Sequence, residues 1–283
     1  MKKLLLLTGM GLLSVTAFAA PLEYQTYNPQ GNAVFPVSST LITGQHDAVL
    51  VDAQFSVKDG EQLVDIIQKS GKNLKYIVIT AGDPDFYFGL EPIVKAFPKA
   101  KIIATPKVVE HIEQTKAEKL AYWSPILKDG APTQLFVPKA TTLKTLTLEN
   151  QKIQFKDTNS YAAYLWVPKD RTILGGVGVS SGIYVWSADT QTKKERSQWL
   201  HTLKNMQALH PKNVIPGHYV GDIPKGTAAI QFTYQYLTDF EKILKTNSSS
   251  AAVIAVMKAK YPHLAEENSL EISAKVNTGE MKW

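Results

Sequence analysis

The chain has 283 residues, of which 44% are hydrophobic and 20% are charged, a balance that suits one large globular domain or two small ones. It contains no cysteine, which excludes disulfide bonds, thiolate metal ligands and a lipid anchor on a cysteine. The net charge is +6, but the lysines are scattered and no basic block is longer than Lys193-Lys194. We therefore expect no nucleic-acid partner.

The first twenty residues have the pattern of a secretory signal peptide. Lys2-Lys3 gives a basic start, residues 4–13 form an apolar run, and Ala19-Ala20 ends a small-residue cleavage site. The run is too short to span a bilayer comfortably, and no later segment is apolar for long enough. We expect a cleaved signal over residues 1–20, a mature domain over residues 21–283 in the periplasm or outside the cell, and no stable membrane anchor.

The first half of the mature chain alternates strand and helix patterns. A β-rich opening spans residues 34–53, and Gly71 stops the amphipathic helix that follows it. The segment around Trp123 is typical of a loop. The predicted elements here are a helix over 57–70, a strand over 74–80, a helix over 90–96, a strand over 101–104 and a helix from Pro106 to about Ala121.

Strand signals dominate the next region, and helices close the chain. We expect strands over 134–137, 143–148, 152–156, 162–167 and 172–174, a helix over 191–209, a strand over 213–218, and helices over 227–244 and 251–261. This order, strands with interleaved helices, then strands, then helices, indicates an α/β or α+β fold.

Two carboxylates, Asp83 and Asp85, lie one residue apart in the loop that follows the predicted strand 74–80. Gly82 and Pro84 favour a turn here. In layered α/β folds the carboxyl end of a strand is where sites are built. Aspartates in such a turn also cap backbone groups, so a purely structural role is the alternative to ligand binding.

This loop resembles the metal-binding loop of the metallo-β-lactamase superfamily, Thr-His-x-His-x-Asp-His followed by a small residue. Thr80 and Asp85 match this pattern. The three histidine positions hold Ala81, Asp83 and Phe86 instead. The loop therefore resembles the family in its scaffold positions and differs in most of its ligand positions.

Two later segments carry the same resemblance. Gly175-Gly176-Val177 looks like the strand end that supplies a bridging aspartate, with Val177 in the place of that aspartate. Pro216-Gly217-His218 matches the last ligand histidine, while residues 157–161, centred on Asn159, hold no histidine where the family has another. The resemblance implies a four-layer αββα sandwich whose relatives use a metal-bound hydroxide in hydrolysis.

The candidate ligands that remain are Asp85 and His218, which match the family's residues, and Asp83, which replaces a histidine. One imidazole and two carboxylates would favour a single hard ion such as Mn²⁺ or Fe²⁺ over a dinuclear zinc site. His218 has an equally open structural role, as a residue that hydrogen-bonds within its loop. The resemblance further implies a pocket whose lining includes Phe86, Tyr87, Asn159 and Val177.

Two functions follow as hypotheses. In the first, the protein has a degenerate metal site and binds a small molecule in the old cleft without catalysis. In the second, it is an atypical hydrolase with one metal ion held by Asp83, Asp85 and His218. Both need a small-molecule ligand or substrate as partner. The sequence requires no cofactor and leaves room for one divalent metal ion.

Overall fold

The computed structural model describes residues 21–283, so the expected signal peptide lies outside the described residues. Seven helices and thirteen strands make up this part of the chain. In order they are β1 (Glu23–Tyr27), β2 (Ser39–Thr43), β3 (Asp47–Val51), α1 (Val57–Ser70), β4 (Asn73–Ile79), α2 (Leu90–Ala96), β5 (Lys101–Ala104), α3 (Pro106–Leu127), β6 (Lys139–Ala140), β7 (Thr145–Leu148), β8 (Gln151–Lys156), β9 (Tyr164–Val167), β10 (Thr172–Leu174), β11 (Ser180–Ser181), α4 (Lys193–Ala208), β12 (Asn213–Val214), β13 (His218–Tyr219), α5 (Ala228–Thr246), α6 (Ser250–Lys260) and α7 (Glu267–Asn277).

The strands form two principal sheets. The first has six strands in the order β1-β2-β3-β4-β5-β6, antiparallel from β1 to β3 and parallel from β3 to β6. The second has the order β12-β10-β9-β8-β7, antiparallel except for the parallel pair β10 and β12. A short parallel pair, β11 and β13, lies beside them and carries His218.

The hydrophobic side chains divide into three cores that define four layers. Alternate residues of the first sheet, such as Val49 and Val78, pack against Leu165 and Leu174 of the second sheet. Because side chains alternate along a strand, their neighbours, such as Leu50 and Ile77, pack on the other face against the helices α1, α2 and α3. The second sheet packs its outer face against α4, α5, α6 and α7. The fold is therefore an αββα sandwich, as the resemblance implies.

Several elements agree with the sequence prediction to the residue. Helix α1 begins after Ser56, whose side chain accepts a hydrogen bond from the backbone of Asp59, and ends at Gly71 with φ of 65°. That left-handed backbone is a conformation that glycine adopts without strain. Helix α2 and strand β5 also have the predicted bounds. Within residues 21–283, no helix combines the length and the apolar character needed to cross a bilayer.

Helix α3 corrects the prediction around Trp123. The helix does not end near Ala121 but continues to Leu127, with Pro125 inside it. Proline removes one backbone donor and usually ends a helix, which is why the sequence predicts a loop here. Trp123 is 7% exposed and packs into the core with Val108 and Ile112, so tertiary packing overrides the local signal.

Other segments also differ from the prediction. Residues 134–137 form no strand, and the predicted strand 213–218 divides into β12 and β13 around Pro216 and Gly217. Proline lacks the N–H group that a strand ladder requires. Strand β1 and helix α7 were not predicted at all.

Candidate functional site

The loop after β4 is anchored to both sheets through Thr80. Its backbone N–H and its hydroxyl both donate to the carboxylate of Asp52, at 2.8 and 2.6 Å. The same hydroxyl accepts a hydrogen bond from the backbone of Gly176 at 2.6 Å, in the loop after β10. The backbone of Ala163 also donates to the Thr80 carbonyl. Thr80 therefore fixes the loop of Asp83 and Asp85 against the segment that carries Val177.

Asp85 and His218 meet across this junction. The Nε2–H of His218 donates to Oδ2 of Asp85 at 2.6 Å, between residues 133 positions apart in the chain. Their side chains are 8% and 11% exposed. The ring of Phe86 packs edge-on against the imidazole, with 5.4 Å between ring centroids. Asp85 thus has a hydrogen-bonded partner inside the protein.

Asp83 has a different environment from Asp85. It precedes the 3-10 turn Pro84–Phe86, but its side chain makes no capping hydrogen bond. Burial and repulsion from Asp189 and Asp85 raise the pKa of Asp83 well above its usual range, and Lys119 acts in the opposite direction. The capping role suggested by the sequence is therefore wrong for Asp83.

A cavity of about 230 Å³ opens beside this loop. Asp83, Asp85 and His218 all line it, and so does Val177. Aromatic side chains from distant parts of the chain form much of the remaining wall, namely Phe35, Phe55, Trp123, Tyr161, Tyr164, Trp186, Trp199 and Trp283. The three candidate ligands thus border one cavity whose surroundings are mainly aromatic.

Phe35 connects the aromatic wall to the Asp85–His218 pair. Its ring lies 5.3 Å from that of Trp123, 5.8 Å from that of Trp186 and 6.5 Å from that of His218, all in edge-to-face geometry. Trp186 in turn lies 5.0 Å from Trp283. Such contacts fix the rings in place, because each pair adds attraction beyond the area it buries.

The indole N–H groups of two of these tryptophans converge on one carboxylate. Trp186 Nε1 donates to Asp189 Oδ2 at 2.5 Å, and Trp283 Nε1 donates to Asp189 Oδ1 at 2.9 Å. Lys119 Nζ lies 3.7 Å from Asp189 Oδ1 and 4.8 Å from the centre of the Trp283 ring. On this side of the cavity the ammonium group of Lys119 therefore lies near both the ring of Trp283 and the carboxylate of Asp189.

Comparison with known proteins relates part of the sequence, and the fold, to one superfamily. Residues 32–152 match the sequence profile described as "Metallo-beta-lactamase superfamily". A structure of TMB-1 that addresses substrate and inhibitor binding by that protein has 18% identity and a TM-score of 0.53, covering 77% of this chain and 92% of that chain. The chain has the metallo-β-lactamase fold. A metallo-β-lactamase from Pontibacter korlensis has 19% identity and a TM-score of 0.49, with 77% and 93% coverage. No curated protein matched the sequence.

The zinc sites implied by the metallo-β-lactamase fold can be tested against the side chains present. A catalytic zinc needs three protein ligands and an open position. Within residues 21–283, no three histidine, cysteine, aspartate or glutamate side chains are grouped closely enough to hold a metal ion. Asp85 and His218 are in contact, but Asp83 does not complete a group of three with them. These residues do not fit the zinc site that the fold implies.

The four predicted pocket residues have different positions on the metallo-β-lactamase scaffold. Val177 lines the cavity. Phe86 and Tyr87 are not among its lining residues, because both side chains are directed into the core and are at most 1% exposed. Asn159 is exposed, and the cavity is lined by its neighbours Asp157, Ser160 and Tyr161 instead.

Sequence reasoning missed several residues of the site. Lys119 and Asp189 carry no motif, and Trp283 lies in no predicted element. Trp199 lies in the predicted helix over 191–209, for which the sequence predicts no part in a site. The one available signal was the abundance of tryptophan, since four of the five tryptophans, Trp123, Trp186, Trp199 and Trp283, line the cavity.

Proposed function

We propose that this protein binds a small organic molecule in the aromatic cavity and does not act as a dinuclear zinc hydrolase. The observation that carries the proposal is the direct hydrogen bond between Asp85 and His218 at the edge of an aromatic cavity. Ligand pockets are typically concave and largely apolar, with a few polar groups that fix orientation. Tryptophans and phenylalanines supply the apolar wall of this cavity, and its carboxylates supply polar groups that can fix the orientation of a ligand.

The Asp85–His218 pair supports the non-catalytic half of the proposal. Each side chain is the hydrogen-bond partner of the other. A metal ion that binds Asp85 and His218 would therefore have to break a buried hydrogen bond of 2.6 Å. The bridging position holds Val177, whose side chain offers no donor to a metal. A metallo-β-lactamase fold with this set of side chains retains the cleft and lacks the ligands for two ions.

The alternative is a hydrolase with one metal ion held by Asp83, Asp85 and His218. One observation favours it: Asp83 lines the same cavity and its carboxylate accepts no hydrogen bond within the described residues. Such a protein would be stabilised by Mn²⁺, since a ligand that binds only the folded state at about 100 times its Kd adds about 2.7 kcal/mol. A melting curve that Mn²⁺ raises, with the response absent in Asp85→Asn and kept in Asp239→Asn, would favour this alternative.

Tryptophan fluorescence provides a direct test of binding. Because four tryptophans line the cavity, a ligand that enters it should change the indole emission and raise the melting temperature. We expect hits from a library of small apolar and amphipathic compounds to be weakened at least about tenfold by Val177→Phe, which places a larger side chain at the cavity wall.

The matched control is Val256→Phe, the same substitution at a residue of α6 that is 43% exposed and does not line the cavity. It should leave the binding unchanged. If the ligands bind the Val177→Phe variant as tightly as the wild type, their binding site lies outside this cavity. A library that produces no hit in either readout would count against the binding function itself.

We also propose that the protein is exported to the periplasm or beyond. The support is the Lys2-Lys3 start, the apolar run over residues 4–13 and the Ala19-Ala20 end. N-terminal sequencing of protein from the native host should begin near Ala20 or Pro21. Mature protein that retains Met1 would refute the proposal.

A further inference from the structure

The charge of the cavity is opposite to that of the whole chain. The net charge of the sequence is +6. Among residues 21–283 the lining nevertheless contains six carboxylates and a single lysine, Lys119; the carboxylates are those of Asp83, Asp85, Asp157, Asp189, Glu195 and Glu266. Clefts lined by one sign of charge attract ligands of the other sign. The cavity of a basic protein is therefore suited to a cation.

Four of these six carboxylates accept hydrogen bonds from donors within residues 21–283, whereas those of Asp83 and Glu266 do not. Asp85 accepts from His218, Asp157 accepts from Thr202, and Asp189 accepts from the two indoles. No hydrogen-bond donor within residues 21–283 contacts the carboxylate of Asp83. Asp83 also lies close enough to Asp85 and Asp189 for unfavourable electrostatic interactions with both. A positive charge beside Asp83 would offset that repulsion.

Lys119 shows what kind of positive charge this wall accommodates. Its ammonium group lies 4.8 Å from the centre of the Trp283 ring and 3.7 Å from Asp189 Oδ1. An ammonium within about 6 Å of an aromatic face is attracted by the ring, and aromatic cages recognise amines and quaternary ammonium groups in this way. The arrangement around Lys119 is such a contact, made by the protein's own side chain.

We propose that the ligand of the cavity is an organic ammonium ion with an apolar body. Its charge would lie by Asp83 and the tryptophan faces, and its apolar body against Phe35 and Phe55. This inference rests on the proposed function, because it names the chemical class of the molecule bound there. It names an organic cation rather than a metal ion, since within residues 21–283 no three carboxylate or histidine side chains are grouped closely enough to hold a metal.

Three probes that share a phenylpropyl group test the charge requirement: 3-phenylpropylamine, 3-phenylpropanol and 4-phenylbutanoate. They share one apolar body and carry a positive, a neutral and a negative group at neutral pH. In calorimetric titrations of the mature chain we expect the amine to bind at least about tenfold more tightly than the alcohol, and the carboxylate to bind most weakly.

Two substitutions should move the affinity of the amine in opposite directions. Asp83→Asn removes an unpartnered carboxylate and should lower that affinity about tenfold, with little effect on the alcohol. Lys119→Met removes the competing ammonium and should raise the affinity of the amine. Asp65→Asn, at an exposed carboxylate of α1, is the control and should change neither. Melting curves establish that each variant is folded.

The outcomes separate this inference from the proposed function. Equal binding of the amine and the alcohol, or tighter binding of the carboxylate, would overturn the requirement for a cation and leave a small-molecule site. No binding of the amine at millimolar concentration would overturn the inference whatever else binds. An amine preference that survives Asp83→Asn and is unaffected by Lys119→Met would also overturn it, because the charge would then be recognised elsewhere.

Discussion

Thr80 and Asp52 explain why part of a metal-binding motif persists without its histidines. Thr80 donates twice to Asp52 and accepts from Gly176, so it joins the ends of β3 and β4 to the loop after β10. These contacts are structural and need no metal. The matching threonine is therefore a mark of the fold, and it carries no information about catalysis.

Asp52 should make the stability of the protein depend on pH. Burial raises the pKa of Asp52 from 3.8 to about 7, although hydrogen bonds from Thr80 oppose the shift. The folded state then binds a proton more tightly than the unfolded state between these values. The free energy of unfolding should fall as pH rises from about 4 to about 7, by at most about 1.4 kcal/mol per pH unit from this group.

Asp52→Asn isolates that contribution. Urea unfolding of the variant should show a weaker decline of stability over the same pH range, and a loss of about 1–3 kcal/mol at low pH from the disturbed Thr80 contacts. Parallel stability curves for the variant and the wild type between pH 4 and 7 would show that Asp52 does not titrate there.

Gly176 is required by a close backbone approach. Its φ is 78°, and a Cβ atom there would lie 2.3 Å from the carbonyl oxygen of Ala163. Gly221 has a φ of 84° and open space around the same position. Gly221→Ala should cost about 1–2 kcal/mol for the left-handed backbone alone, and Gly176→Ala should cost clearly more in urea unfolding. Equal losses would mean that the loop relaxes away from Ala163.

At the scale of elements, Glu91 connects helix α2 to the segment after α3. Its carboxylate accepts from Lys95 at 2.6 Å, and from the Thr133 hydroxyl, the Thr133 backbone and the Gln134 backbone. The Lys95 contact, followed by those of Thr133, lowers the pKa of Glu91 to about 2. The contribution of the ionised Glu91 carboxylate to the free energy of unfolding is therefore complete above about pH 4.5 and is lost as pH falls towards 2.

Glu91→Gln should lower the free energy of unfolding by about 1–3 kcal/mol at pH 7, because the hydrogen bonds to this buried carboxylate lose their charged acceptor. The difference from the wild type should shrink below pH 4.5. Glu110→Gln, at an exposed carboxylate paired with Lys107, serves as the control and should cost less than about 1 kcal/mol. A Glu91→Gln variant as stable as the wild type at pH 7 would contradict the role given to these bonds.

Elements with strong local signals could be predicted from the sequence. The Ser56 cap and Gly71 define α1, and the β-branched run of β4 defines a buried strand. Helix α3 could not be bounded, since Pro125 is tolerated only because the turn around it packs Trp123 into the core. Strand β1 has the sequence Glu-Tyr-Gln-Thr-Tyr, which contains no aliphatic residue and no regular alternation, so its pairing with β2 depends on the partner strand.

The site was predictable only where a motif marks it. Asp83, Asp85 and His218 were expected near each other because of the resemblance, and all three line the cavity. The aromatic wall depends on contacts between residues far apart in the chain, such as Phe35 with Trp186, and no local pattern encodes such a contact. Phe86 and Tyr87 were expected in the pocket, but the 3-10 turn directs them into the core.

At the scale of the whole molecule, the cavity lies where side chains from both halves of the sandwich meet. Phe55 and Trp123 belong to the core of the first sheet, whereas Tyr164 and Met206 belong to the core of the second. The fold alone therefore builds the cleft, and the side chains within it decide what it binds. Here those side chains are aromatic and acidic, with one Asp–His pair.

A zinc titration of the metal-free protein tests the central claim most directly. We expect calorimetry of the mature chain at neutral pH to show no saturable, stoichiometric binding of Zn²⁺ at micromolar concentration, because Asp85 and His218 satisfy each other and no third ligand joins them. Binding of roughly one or two equivalents of zinc with a submicromolar Kd, abolished by Asp85→Asn and by His218→Ala, would contradict the account.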